Sequence, residues 1–149
     1  MKKIPASPGH HRKGKKPMKT PTIIAASVLM TTGCVAGNYQ TDTFKTKGGK
    51  EVVITAIKHA SLRIQYDGLR IYIAGDTEDI PEMAKLKDVD VAFLPCNQPY
   101  TMTPEQVAKA ARTIKPKVLF PYHYSQTPVK RVAELLADTS IDVRIRSYQ

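Results

Sequence analysis

The chain has 149 residues, 42% of them hydrophobic and 24% charged, which is enough for one domain with a real core and excludes a wholly disordered protein. Its net charge of +10 would suggest a nucleic-acid partner if it were spread over a folded surface, yet seven of the 23 basic residues and none of the 13 acidic ones lie within residues 1–20. The rest is nearly balanced, so nucleic-acid binding is excluded, and two cysteines as far apart as Cys34 and Cys96 give no disulfide framework.

The basic run leads into "TIIAASVLMTTGC", whose apolar part, Ile23 to Met30, is far shorter than the roughly 20 residues a membrane-spanning helix needs. A basic start, a short apolar middle and small residues are the parts of a secretory signal. Cys34 follows Thr32 and Gly33, an arrangement that resembles the bacterial lipoprotein signal, in which such a cysteine is lipidated and becomes the mature N-terminus. Thr31 stands where those signals usually place leucine, and simple secretion or an uncleaved tail are the alternatives. Residues 1–34 are therefore expected to be a basic leader with a lipoprotein-type signal. The expected location is the bacterial cell envelope, on a lipid anchor or in the periplasm.

Residues 35–50 are polar with two separated glycine sites, and read as a tether. The domain is expected over 51–149. "EVVITAI" is a β-branched run, and "SLRIQYDGLRIYIA" alternates Leu62, Ile64 and Tyr66 with polar residues before Asp67 and Gly68 reverse the chain into Leu69, Ile71 and Ile73, the pattern of a two-residue hairpin. The period then changes. Asp79 before "IPEMAKL" predicts an N-cap and a short helix with proline in its first turn, and "VDVAFLP" predicts a strand. Thr103 with Gln106 is a capping box opening "PEQVAKAARTI"; "KVLFPY" is another buried strand; Thr127 and Pro128 open "PVKRVAELLAD"; and "IDVRIRSY" closes the chain. Strands alternating with amphipathic helices predict an α/β fold with a partly parallel sheet.

Ligands of open α/β sheets gather beyond the carboxyl ends of the strands. Asp76, Asn97, Tyr100 and His123 all follow predicted strands there, with His59 in "KHASL" a further candidate. Taken singly, each has an ordinary alternative: a turn or cap for Asp76, and a packed, hydrogen-bonded side chain for a histidine between two tyrosines.

Four segments in order, "HASLRIQYDG", "LRIYIAGDTE", "LPCNQPYTMTPEQ" and "LFPYHY", resemble the metallo-β-lactamase superfamily over about residues 51–149, with the ascorbate-6-phosphate lactonases as the most similar branch. The resemblance implies part of a four-layer αββα sandwich with two zinc ions at one edge of its sheets. It makes Asp76 the carboxylate that bridges the metals and His123 the final histidine ligand, and it implies a metal-activated water attacking a lactone or phosphoester. The family's HxHxDH motif and one further histidine are missing, since the only histidines are His10, His11, His59 and His123. An early family hairpin and a later one meet here at Asp67 and Gly68, as an internal deletion between two similar turns would leave them.

Two functions follow as expectations. One is a zinc-dependent hydrolase by descent, acting on a small molecule with weak or no activity. The other is a non-catalytic lipoprotein or binding module held at the membrane by a lipid on Cys34. A half-sandwich also makes a second copy of the chain a candidate partner.

Overall fold

The computed structural model describes residues 39–148. The leader, Cys34 and the start of the expected tether lie outside the described residues.

Seven strands form one sheet in chain order: β1 (Thr41–Lys45), β2 (Glu51–Ala56), β3 (Leu62–Tyr66), β4 (Leu69–Ile73), β5 (Val91–Pro95), β6 (Val118–Tyr122) and β7 (Asp142–Val143). The strands from β1 to β4 pair antiparallel, and those from β4 to β7 pair parallel. β1 corrects the sequence reading, because part of the polar segment taken for a tether is an edge strand. All five of its side chains are exposed, so no apolar periodicity marks it; its backbone ladder to β2, from Thr41↔Thr55 to Lys45↔Glu51, holds it in place.

The β3–β4 hairpin turns at Asp67 and Gly68 as expected. Both residues have positive φ, 49° and 82°, the requirement of the primed turns whose twist matches that of the strands.

After β4 the connections carry helices. The first is a short 3-10 helix, Pro81–Lys85, with Ile80 rather than Asp79 at its N-cap. The Asp79 carboxylate is drawn away to Lys109 Nζ at 2.6 Å and to the Gln106 amide, which donates to it at 3.2 Å, so it clamps the loop to the next helix instead of capping its own. α1 (Pro104–Ile114) has the predicted capping box: Gln106 N donates to Thr103 Oγ1 at 3.1 Å and Thr103 N donates to Gln106 Oε1 at 2.8 Å. Val107, Ala108, Ala110, Ala111 and Ile114 form its buried stripe, and Lys115 ends it in the left-handed conformation. α2 is only Lys130–Leu135 and lacks a side-chain cap. Thr127, expected to open it, instead accepts a hydrogen bond from Gln98 N. The last strand is two residues long because only Val118 and Leu119 of β6 offer it a partner.

All three crossovers step across the sheet in the same direction, and right-handed connections then place every helix on one face. Burial agrees. Tyr72, Ala92, Leu94 and Leu119 point to that face and join Met83, Val107, Ala111, Ile114 and Val132 in a single core, each 4% exposed or less. The alternate positions lie on the opposite face. Ile54, Ile64, Ile71, Val91 and Val118 line up across five strands there, and Phe93 stacks on Phe120 with ring centroids 5.0 Å apart, yet no helix among the described residues covers them. The architecture is α/β with two layers, the helical layer and one sheet of a sandwich.

Gly75 fixes how the chain leaves β4. Its φ is +66°, and a Cβ there would lie 2.7 Å from the Ala60 carbonyl oxygen and 2.8 Å from that of His59. Backbone, not a flexible side chain, would have to move. Gly75→Ala is expected to lower stability in urea unfolding by about 2 kcal/mol or more.

The Asp79 carboxyl is held below the usual carboxylate range, first by its hydrogen bond to Lys109 and then by that lysine's charge and the Gln106 amide, against an opposing effect of burial. A carboxyl whose value is depressed on folding adds stability above its unfolded value of about 3.9, and that stability is lost as pH falls through the folded value. Asp79→Asn is expected to lower stability at pH 7 by about 1 kcal/mol and to flatten the decline on acidification below about pH 5 in denaturation followed by circular dichroism.

Candidate metal-edge site

The carboxyl ends of β4, β5 and β6 are neighbours in the sheet, and each delivers one polar side chain to the same edge. Beyond β4, the turn at Gly75 presents Asp76. Beyond β6, His123 adopts a positive φ of 51°, which turns its ring back toward the edge. His123 Nδ1 lies 3.2 Å from Asp76 Oδ1. From the end of β5, the Asn97 amide nitrogen stands 3.5 Å from His123 Nε2. A tautomer with the proton on Nδ1 serves both contacts, since Nδ1–H donates to the carboxylate and Nε2 accepts from the amide at the long limit of a hydrogen bond.

The loop carrying Asn97 is built from its own backbone. Tyr100 N and Thr101 N donate to the Asn97 carbonyl at 2.9 and 2.8 Å, and Asn97 N donates to Thr101 Oγ1 at 2.7 Å. Thr101 is buried, so this knot anchors the loop against the core.

The sequence candidates divide accordingly. Asp76, His123 and Asn97 come together. Tyr100 does not, being 79% exposed with no hydrogen bond from its hydroxyl among the described residues. His59 comes close only through its backbone, which packs on Gly75; its exposed ring makes no hydrogen bond or ion pair with Asp76 or His123.

Tyr122 was not singled out from the sequence. Its hydroxyl reaches the Gly75 carbonyl at 3.4 Å, and burial, followed by the Asp76 charge, affects its ionisation: both raise it, while the hydrogen bond to Gly75 opposes them. It bridges the two loops that carry Asp76 and His123. Its place beside a histidine in "PYHY" was the available signal, and periodicity alone reads it as packing. Cys96 is fully buried, and burial pushes its thiol up to about 11, so it is neither a nucleophile nor a ligand at neutral pH.

A catalytic zinc normally has three protein ligands and a water. Among the described residues, no group of three or more histidine, cysteine, aspartate or glutamate side chains is close enough to hold a metal ion. Asp76 and His123 are 75% and 49% exposed and face each other, so the donors among the described residues do not by themselves fit a dinuclear centre. An exposed carboxylate–imidazole pair can orient the imidazole and accept a proton at Nε2, which is what these residues offer without a metal.

Comparison with known proteins bears on this edge. A family model described as "Beta-lactamase superfamily domain" matches residues 8–124, more than half of the chain. A UPF0173 metal-dependent hydrolase of Lysinibacillus sphaericus is 32% identical over 115 residues, covering 74% of this chain and 48% of the relative. The chain thus spans about half or less of the length of the curated relatives it matches. A solved structure assigned as a metal-dependent hydrolase from Parabacteroides distasonis is 32% identical with a TM-score of 0.54, covering 74% of this chain and 100% of that one. The metallo-beta-lactamase fold protein YhfI of Bacillus subtilis, at 15% identity, shares the fold with a TM-score of 0.55 over 71% of this chain and 50% of its own. With its mixed sheet, its one-sided helices and the acidic and imidazole groups at the carboxyl edge, the chain belongs to the beta-lactamase superfamily, in its metallo-β-lactamase-fold, metal-dependent hydrolase family.

Proposed function

We propose that this chain is a metallo-β-lactamase-fold hydrolase by descent whose own edge holds zinc weakly and turns over lactones or phosphoesters little or not at all. The observation that supports this reading is the ligand count: one carboxylate and one imidazole converge among the described residues, and no third metal-binding side chain joins them. Imidazole with carboxylate is a donor set that suits zinc, but two fixed donors leave most of the coordination sphere to water. An internal deletion at the Asp67–Gly68 turn accounts for the missing HxHxDH segment, because a hybrid of two hairpins with the same turn chemistry stays locally consistent. Purified full-length protein should carry well under one equivalent of zinc after dialysis, read by elemental analysis. Asp76→Ala should change stability by less than about 0.5 kcal/mol, as for an exposed pair, and leave lactone and phosphodiester turnover unaltered. Two equivalents of zinc, with turnover abolished by Asp76→Ala, would overturn the reading.

A second reading concerns location. The basic run, the apolar segment Ile23 to Met30 and Cys34 after Thr32 and Gly33 favour a lipid-anchored protein of the bacterial cell envelope, with the domain acting as a binding module. No helix among the described residues is long and apolar enough to cross a membrane, so in this reading the acyl chains supply the attachment, at about 0.8 kcal/mol per buried methylene. Labelled fatty acid should enter the wild-type protein and not Cys34→Ser, with the variant moving from membrane to soluble fractions; equal labelling of both would sink the lipoprotein claim.

A further inference from the structure

The sheet face opposite the helices is apolar from strand to strand. At its turn end Phe44, Val52, Tyr66 and Leu69 are successive cross-strand partners, and Phe44, Tyr66 and Leu69 are 54%, 39% and 41% exposed. At its carboxyl end Leu62, Ile73, Phe93 and Phe120 form another row. Across β2 to β6 this face carries no charged side chain in its paired positions. Charge returns at the two side edges and in the Lys50–Asp67 pair at the turn end. Asp42 of β1 shares a row with Ile54, while beyond β6 the opposite edge holds the Asp142–Arg144 pair and Arg146, whose guanidinium lies 6.0 Å from the centroid of Phe120.

We propose that two copies of this chain pack these faces against each other as a symmetric dimer, with the two-fold axis along the strands. Two observations commit the face to that occupant. Seven strands about 4.8 Å apart and five residues of about 3.4 Å each make a slab of roughly 500 Å² in projection. Ridged by aromatic and branched side chains, such a slab approaches the roughly 800 Å² of accessible surface per partner that a stable interface buries. The charge pattern is also self-complementary. An axis along the strands lays β1 of one copy over β7 of the other, so Asp42 meets an edge with one surplus positive charge. The other in-plane axis would lay each side edge on its own copy, with Asp42 close to Asp42 and the positive edge against itself. Sheets packed in this way stand about 10 Å apart with both inner faces dry. The same axis carries both Asp76–His123 pairs to one end of the assembly.

The test is the mass of the full-length protein by light scattering and sedimentation. Wild type is expected at twice the chain mass. Leu69→Glu, on the central strand at a position already 41% exposed, leaves the fold intact by circular dichroism and sets two carboxylates close to the axis, and association is expected to weaken roughly a hundredfold or more. Phe44→Glu, at 54% exposure, weakens it in the same direction and decides the matter if Leu69→Glu fails to fold. Tyr100→Glu, off this face and 79% exposed, leaves the dimer unchanged. A wild type that stays at single mass at every concentration reached overturns the proposal, and so does a dimer that survives in the folded Leu69→Glu or Phe44→Glu variant.

Discussion

Three successive parallel connections, from β4 to β5, β5 to β6 and β6 to β7, step across the sheet in one direction, and right-handed crossover geometry obliges the helices they carry to share one face. Much else in the molecule depends on that constraint. It gathers Tyr72, Leu94 and Leu119 under Val107, Ile114 and Val132 in a single core, and it leaves Ile71, Phe93 and Phe120 on a face that nothing in the described chain covers. An antiparallel continuation after β4 would have put no helix on the sheet at all. A crossover reversing direction would have covered both faces. The chain does neither, and so has the anatomy of half a sandwich.

The same parallel arrangement creates the site. Because β4, β5 and β6 run in one direction, their carboxyl ends fall on one edge, and His123 meets both Asn97, 26 positions away, and Asp76, still farther back in the chain. What the edge does with them is decided by backbone conformation. Gly75 at φ +66° lets β4 end hard against the His59–Ala60 carbonyls, and His123 at φ 51° turns its ring back over Asp76. The Tyr122 hydroxyl ties the two loops through the Gly75 carbonyl. The result is a well-placed carboxylate–imidazole–amide row on a surface as open as any turn, with ligand chemistry for part of a metal centre. The matched segments make up 48% of one curated relative and 29% of another, so the greater part of each relative lies outside the match.

The core side of the domain is tied together by hydrogen bonds, with Arg63 Nε the buried side-chain atom left without a partner among the described residues. The reciprocal hydrogen bonds of the Thr103–Gln106 box start α1, its alanine-rich stripe allows close approach to β5, and Asp79 links the 3-10 helix loop to α1 through Lys109 and Gln106. Stability and chemistry are therefore separable here. Substitutions at the exposed Asp76–His123 pair touch little of the packing, whereas Gly75, which bears no chemistry, supports both.

Much of this was legible in the residues alone, wherever local physics decides. Alternation over Leu62–Tyr66 and Leu69–Ile73 with Asp67-Gly68 between them specifies a hairpin, because two positive φ angles in succession need those residue types. Thr103, Pro104 and Gln106 specify a helix start, since each satisfies an orphan backbone group or lacks one. The positions of Asp76, Asn97 and His123 after strands marked them as edge residues. Three features required the tertiary structure. β1 has no apolar signature, and only its ladder to β2 makes it a strand. Asp79 reads as a cap by spacing, yet Lys109, 30 residues away, competes for its carboxylate with a stronger, charge-assisted bond. Which side chains meet at the edge, Asn97 but not Tyr100, and His59 only by its backbone, depends on the loop conformations beyond the strands. A sequence carries the period and the caps of its elements because those are local, but the direction of a crossover and the partner of a carboxylate are set by groups far apart in the chain, and only folding brings them within reach.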